Sequence, residues 1–185
     1  MTFTLRRSLL AMMILGTSGA LSAAEIGNRN ISENEVIAAQ EAWAKALIQI
    51  SDDYAAGGEE KAKTTAESVI DNAYGYAQGV VLFKPTLASG QQTFRLTREG
   101  ALSYFIGGNP SFPIDKGFAI KGWKDYKVEN AGIQLSGDSA YTMGKVHLTD
   151  ADGKTTTVDK TWGFRKGEDG QIRIVLHHSS VPYAS

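Results

Sequence analysis

"GFAIKGWKDYKVENAGIQL" (residues 117–135), "AYTMGKVHLT" (140–149), "TTTVDKTWGFRK" (155–166) and "QIRIVLHHSS" (171–180) are separated only by the short stretches "SGDS", "DADGK" and "GEDG". Each long segment is rich in β-branched and aromatic residues, and the Asp-Gly steps at Asp152-Gly153 and Asp169-Gly170 are tight-hairpin signals. This third of the chain therefore reads as an antiparallel meander. A sheet of consecutive hairpins buries one of its faces, and the elements that cover it must come from earlier in the sequence.

Two amphipathic helices supply that cover. "ISENEVIAAQEAWAKALIQISDDYAAGG" (31–58) begins with Ser32 and Glu35 in capping-box spacing, with Ile31 and Val36 placed for a hydrophobic staple. Val36, Ala39, Trp43, Leu47, Ile50 and Tyr54 then recur every three or four residues, and Gly57-Gly58 ends the pattern. A second helix, from about Glu59 to Tyr74, carries Ala62, Ala66, Val69, Ile70 and Ala73 on one face. "GVVLFKPT" (79–86) reads as a strand, and in "TREGALSYFIGG" (97–108) Thr97 caps a short helix that Gly107 and Gly108 stop. The class is α+β: N-terminal helices packed on a curved antiparallel sheet.

The first 24 residues, with Arg6 and Arg7, an apolar run from Leu9 to Leu15 and small residues through Ala24, have the order of a secretory signal peptide. The expected organisation is a signal peptide at 1–24, a lead at 25–31 and one domain over 32–185, in a periplasmic or secreted protein without a membrane anchor. Removing 24 of the 185 residues, two arginines among them, leaves 161 residues with 17 basic and 20 acidic side chains, a net charge of −3. An acidic chain of this kind has no electrostatic reason to bind nucleic acid. The absence of cysteine removes disulfides, thiol nucleophiles and thiolate metal sites together.

The order helix, helix, strand, short helix, meander resembles the nuclear transport factor two-like (SnoaL-like) cone, and within it the association domain of calcium/calmodulin-dependent protein kinase II and its bacterial relatives. "GDSAYTMGKVHLTD" (137–150) looks like that family's glycine-acid turn followed by a strand ending in a basic residue, Leu and Thr. "DGQIRIVLHHSSVP" (169–182) looks like its final hairpin. The resemblance implies a cavity inside the cone and self-association into dimers or larger homo-oligomers. Arginines that hold an acidic small molecule in that family fall here on His147 and Trp162, which leaves a more aromatic cavity. The inward placement of His147 rests on the resemblance alone.

Strict alternation along the last strand puts Ile172, Ile174, Leu176 and His178 on the apolar inner face, and Arg173, Val175, His177 and Ser179 on the other. His178 is then either a core histidine or a cavity-lining general base. A metal is disfavoured, because adjacent strand residues cannot both reach one ion and His147 is the only further histidine. Lys84 reads as a cation at the cavity mouth or a solvated strand end, and Tyr74 as a hydroxyl donor or as packing. Two functions follow. The preferred one is an exported, self-associating module without catalysis that binds a small, partly aromatic or carboxylate-bearing ligand through His147, Trp162, Tyr104, Tyr74 and Lys84. The alternative is a cofactor-independent lyase, isomerase or hydrolase with His178 as base and Tyr104 or Tyr74 stabilising an oxyanion.

Overall fold

Ser32 caps the first helix as its spacing predicts: its hydroxyl accepts from the Glu35 amide, and the Glu35 carboxylate accepts the Ser32 N–H at 2.9 Å. Hydrogen bonds from Lys166 and from Ser32 hold the Glu35 carboxyl at about 2, so the cap stays ionised well into acid. Ile31 and Val36 are both buried, closing the staple. In this computed structural model, which describes residues 29–184, α1 (Glu33–Ala73) is two helical arms joined at Gly58, whose φ of 71° breaks the helical path. The signal peptide expected at 1–24 lies outside the described residues. α2 (Arg98–Ile106) starts at Thr97, which accepts from the Gly100 amide, and ends at Gly107.

The strands are β1 (Leu82–Lys84), β2 (Trp123–Ser136), β3 (Ser139–Asp150), β4 (Thr155–Lys166) and β5 (Ile172–Ser180), in the order β1-β5-β4-β3-β2. From β2 to β5 every pairing is antiparallel, as the turns predict; β1 adds to β5 in parallel, so the sheet is mixed rather than wholly antiparallel. Alternation sorts β3 cleanly. Ala140, Thr142, Val146 and Leu148 are buried under α1, whereas Tyr141, Met143 and Lys145 face out. The two arms of α1 press Val36, Trp43, Leu47, Ile50, Ala66 and Ile70 into the same core.

Of the three register slips in the sheet, one lies at the start of β2, between Trp123 and Asp125, and two lie mid-strand, where bulges bend a sheet. In β2 the register slips between Asn130 and Gly132, opposite Gly144, where a β-carbon would stand 1.9 Å from the Glu129 carbonyl. Asn130 and Gln40 exchange amide hydrogen bonds of 2.8 and 2.9 Å there, tying α1 to the bend. In β5 the register slips opposite Gly163 and Phe164, which pair with Leu176 and Ile174 and leave Val175 between them without a partner. That extra residue inverts the side-chain phase from Leu176 onward, with consequences for the histidines described below.

Gly163 makes the β5 bulge possible, since a β-carbon at this position would lie 2.9 Å from the Leu176 β-carbon. We expect Gly163→Ala to lower stability by about 1–3 kcal/mol, as overpacking does, in urea titrations followed by tryptophan fluorescence.

Candidate active site

Because of the bulge at Val175, His177 turns inward and is 2% exposed, while His178 is exposed on the outer side of the sheet. This reverses the expectation from strict alternation: His178 does not project into the interior, and His177 and Ser179 do. His147 is likewise not a cavity residue. It lies on the outer face with Tyr141 and Met143, with Nδ1 2.8 Å from the Thr157 hydroxyl and Nε2 3.2 Å from Glu129. Trp162, Tyr74 and Tyr104 do lie inside, and Lys84 is half-buried, donating to the Ser179 carbonyl at 3.0 Å.

His177 is held by rings on several sides. Phe83, its parallel neighbour on β1, stacks on it at 4.3 Å, Tyr74 stacks at 5.9 Å, and Trp43 meets it edge-on at 5.4 Å. Trp162 is its cross-strand partner on β4. The Trp43 indole N–H donates to the Tyr74 hydroxyl at 2.9 Å, and that hydroxyl lies 2.8 Å from His177 Nδ1. An oxygen that already accepts from an indole gives its single hydrogen to Nδ1, so the neutral imidazole carries its proton on Nε2. Burial holds the His177 ring well below the usual histidine range, helped by Lys160 and His178, so it is neutral at neutral pH.

Phe83, which stacks on this ring, also meets Tyr104 edge-on at 5.8 Å, and three hydroxyls lie on that side. Thr86, just past β1, donates to the Ser179 hydroxyl at 2.7 Å, and Tyr104 of α2 receives the Leu87 amide at 3.4 Å. Burial, the largest influence on Tyr104, raises its pKa, so the phenol stays protonated and able to donate. A pocket of about 90 Å³ reaches Tyr104, bounded by Leu87, Ile114, Asp115, Phe118, Lys116 and Lys121 among others. A water needs about 10–15 Å³ by such a measure, so the space suits a molecule of a few heavy atoms. It is too small for an aromatic ligand, one of the two kinds expected from the sequence, and has room for a small carboxylate. A larger recess, about 320 Å³, opens between the arms of α1 and the ends of β4 and β5, but no ionisable side chain lines it. Of these two spaces, only the one at Tyr104 brings ionisable side chains to its wall.

The wall beside Tyr104 is fixed by an ion pair that sequence reading missed. Arg95 donates to Asp115 at 2.7 and 3.4 Å, Ser103 adds a bond of 2.7 Å to the same carboxylate, and both charged side chains are almost fully buried. Removing one partner of such a pair costs about 3–5 kcal/mol, because the other charge stays buried. The pair anchors the Gly- and Pro-rich segment after α2. Among the described residues, no three His, Asp or Glu side chains converge as metal ligands.

The site's isolation from water makes its stability depend on pH. Since the His177 pKa is lower in the folded chain than in the unfolded one, the unfolded chain takes up a proton first as pH falls below about 6.5, and stability drops. The urea midpoint should fall between pH 7 and pH 5, at up to about 1.4 kcal/mol per pH unit from this group, and His177→Gln should flatten the slope.

A family model described as metal-independent carbonic anhydrase matches residues 34–181. A metal-independent carbonic anhydrase of Nostoc sp. (strain PCC 7120) is 56% identical over 158 residues, 85% of this chain and 77% of that protein. The crystal structure of an iota-carbonic anhydrase from a cyanobacterium, complexed with bicarbonate, superposes with a TM-score of 0.86 at 54% identity, covering 89% of this chain and 100% of that one. A calcium/calmodulin-dependent protein kinase II association domain from Xanthomonas campestris shares the fold at 24% identity, with a TM-score of 0.52 over 84% of this chain and 91% of its own. The cone resemblance stands. The preferred expectation of a binding module without catalysis is overturned by the matches to an enzyme family.

Proposed function

We propose that this chain, which belongs to the metal-independent carbonic anhydrase family, interconverts carbon dioxide and bicarbonate where the small pocket reaches Tyr104, with Thr86, Ser179 and His177 as the polar groups of the interior behind it. The observation that carries the reading is the inward His177, whose Nδ1 is engaged by Tyr74 so that Nε2 carries the proton, on the same buried face of β5 as Ser179. The bicarbonate held by the cyanobacterial relative supports the same substrate class here.

In hydration, a water oxygen bonds to the carbon of carbon dioxide, one C=O electron pair moves onto oxygen, and the water's proton is shed to solvent. Negative charge grows on the substrate oxygens, and the groups at hand to meet it are neutral donors: the Tyr104 phenol, the Ser179 hydroxyl and the His177 N–H. Fixed donors in a buried site lower a barrier of this kind because they need no reorganisation, and loss of one costs about 10²–10³ in turnover. The Tyr74 and Trp43 side chains act as positioning residues, fixing the tautomer and plane of the imidazole. No step calls for a metal ion.

Stopped-flow assay with a pH indicator tests the assignment. We expect His177→Ala and Tyr104→Phe each to lower kcat/KM by about 10²-fold or more, with His178→Ala near the parent value and activity unchanged by chelators. A fully active His177→Ala enzyme would sink the reading.

We also propose self-association through the outer face of β2 and β3, where Tyr141 is 48% and Met143 65% exposed beside a shallow apolar groove with Ile133 and Thr161. Contiguous apolar surface of this kind marks interaction sites. Sedimentation velocity should give a dimer or larger species that Met143→Glu dissociates; a monomer at all concentrations would count against it.

A further inference from the structure

We propose that Lys160 is a site of reversible carbamylation by carbon dioxide. Lys160 lies on the inner face of β4, directly across from Ser179, and the next residue on that face, Trp162, pairs with His177. The lysine is 5% exposed, and among the described residues no carboxylate forms an ion pair with it and no acceptor takes a hydrogen bond from it. Its nitrogen sits instead 4.2 Å from the centre of the Trp43 ring and 5.1 Å from that of Trp162. An ammonium without a counter-ion is costly to bury. Burial accordingly holds this amine well below the usual lysine range, toward the neutral, nucleophilic form.

A second orphan stands beside it. The Trp162 indole N–H is fully buried and has no hydrogen-bond partner. Buried polar groups are almost always paired, and an unpaired one calls for an explanation. One adduct answers both. The Lys160 lone pair attacks the carbon of carbon dioxide and forms an N–C bond, one C=O electron pair moves to oxygen, and an N–H proton leaves to water. The product, an N-carboxylate, removes the unpaired ammonium and offers oxygens to the Trp162 N–H, with the Ser179 residue opposite bearing a second donor. No oxidant, metal or other co-reactant is needed.

The inference rests on the proposed function only in that carbon dioxide is handled beside Lys160; dissolved gas suffices for the modification, so it is separable from turnover. The whole protein is equilibrated with ¹³C-bicarbonate, alkylated with triethyloxonium to trap carbamates as ethyl esters, and mapped by peptide mass spectrometry. We expect the ester on Lys160, its loss in Lys160→Met together with the matching ¹³C NMR signal, and about tenfold lower occupancy in Trp162→Phe, the effect of one lost hydrogen bond to a charged group. A bare Lys160 in trapped, active wild-type protein overturns the proposal, and so does undiminished occupancy in Trp162→Phe. An intact adduct in a protein without hydration activity would instead overturn the functional reading alone.

Discussion

The unpaired Val175, seated opposite Gly163, decides which way the polar end of β5 faces. A strand has a side-chain period of two, so adding one residue exchanges its faces from that point on. With the bulge, Ile174 stays in the apolar core and His177 and Ser179 follow it inward. Without it, His178 would enter a space whose neighbours are already arranged for His177: Phe83 stacks where β1 pairs with 177, and the Tyr74 hydroxyl reaches 177 from the end of α1. The cost is a local break in the ladder. It is offset by the buried hydrogen bond from the Tyr74 hydroxyl to His177, without which that hydroxyl's hydrogen would stay buried and unpaired, at about 1–3 kcal/mol.

Two kinds of order surround that imidazole, and they are kept apart. On one side, aromatic rings pack edge to face and stack from Trp162 and Trp43 through Tyr74 and Phe83 to Phe105 and Tyr104, giving position without charge. On the other, Arg95 and Asp115 cancel each other within one bidentate pair, with Ser103 taking up further carboxylate capacity. That pair sets the wall by Tyr104 while adding little net field to the pocket. Rigidity thus comes from charge that is neutralised locally, and reactivity from groups that stay neutral.

What could be read from sequence divides along the range of the interactions. The capping box at Ser32 and Glu35, the break at Gly58, the Thr97 cap and the hairpin turns are local devices, and each forms where its residues predict. The inward Trp162, Tyr74 and Tyr104 were also legible, two of them as hydroxyl-bearing aromatics near the expected interior. The histidine assignment failed because it assumed an unbroken strand. A signal against that assumption was present in Gly163, an isolated glycine between Trp162 and Phe164, which is how a bulge announces itself. Nothing comparable marked the Arg95–Asp115 pair or the parallel docking of β1 on β5, since both depend on where distant segments meet. His147 was carried inward by analogy with a relative's arginine, although its own strand neighbours Tyr141, Met143 and Lys145 are those of an outer face.

A neutral interior suits the proposed reaction for a thermodynamic reason. Carbon dioxide is uncharged and bicarbonate is an anion, so a fixed cation at the reacting centre would bind the product more tightly than the substrate and the gain would not be confined to the transition state. Donors such as the Tyr104 phenol and the His177 N–H respond to charge as it develops, yet hold the finished anion only through hydrogen bonds. The cations sit toward solvent: Lys116 and Lys121 are exposed where they border the pocket that reaches Tyr104, and Lys84 is turned toward the Ser179 carbonyl. There they draw an anion to the mouth, or let it leave, at a cost that solvent screening keeps small. Lys160, the one buried lysine among the described residues, is likewise held from its cationic form in its unmodified state, because burial disfavours the charge.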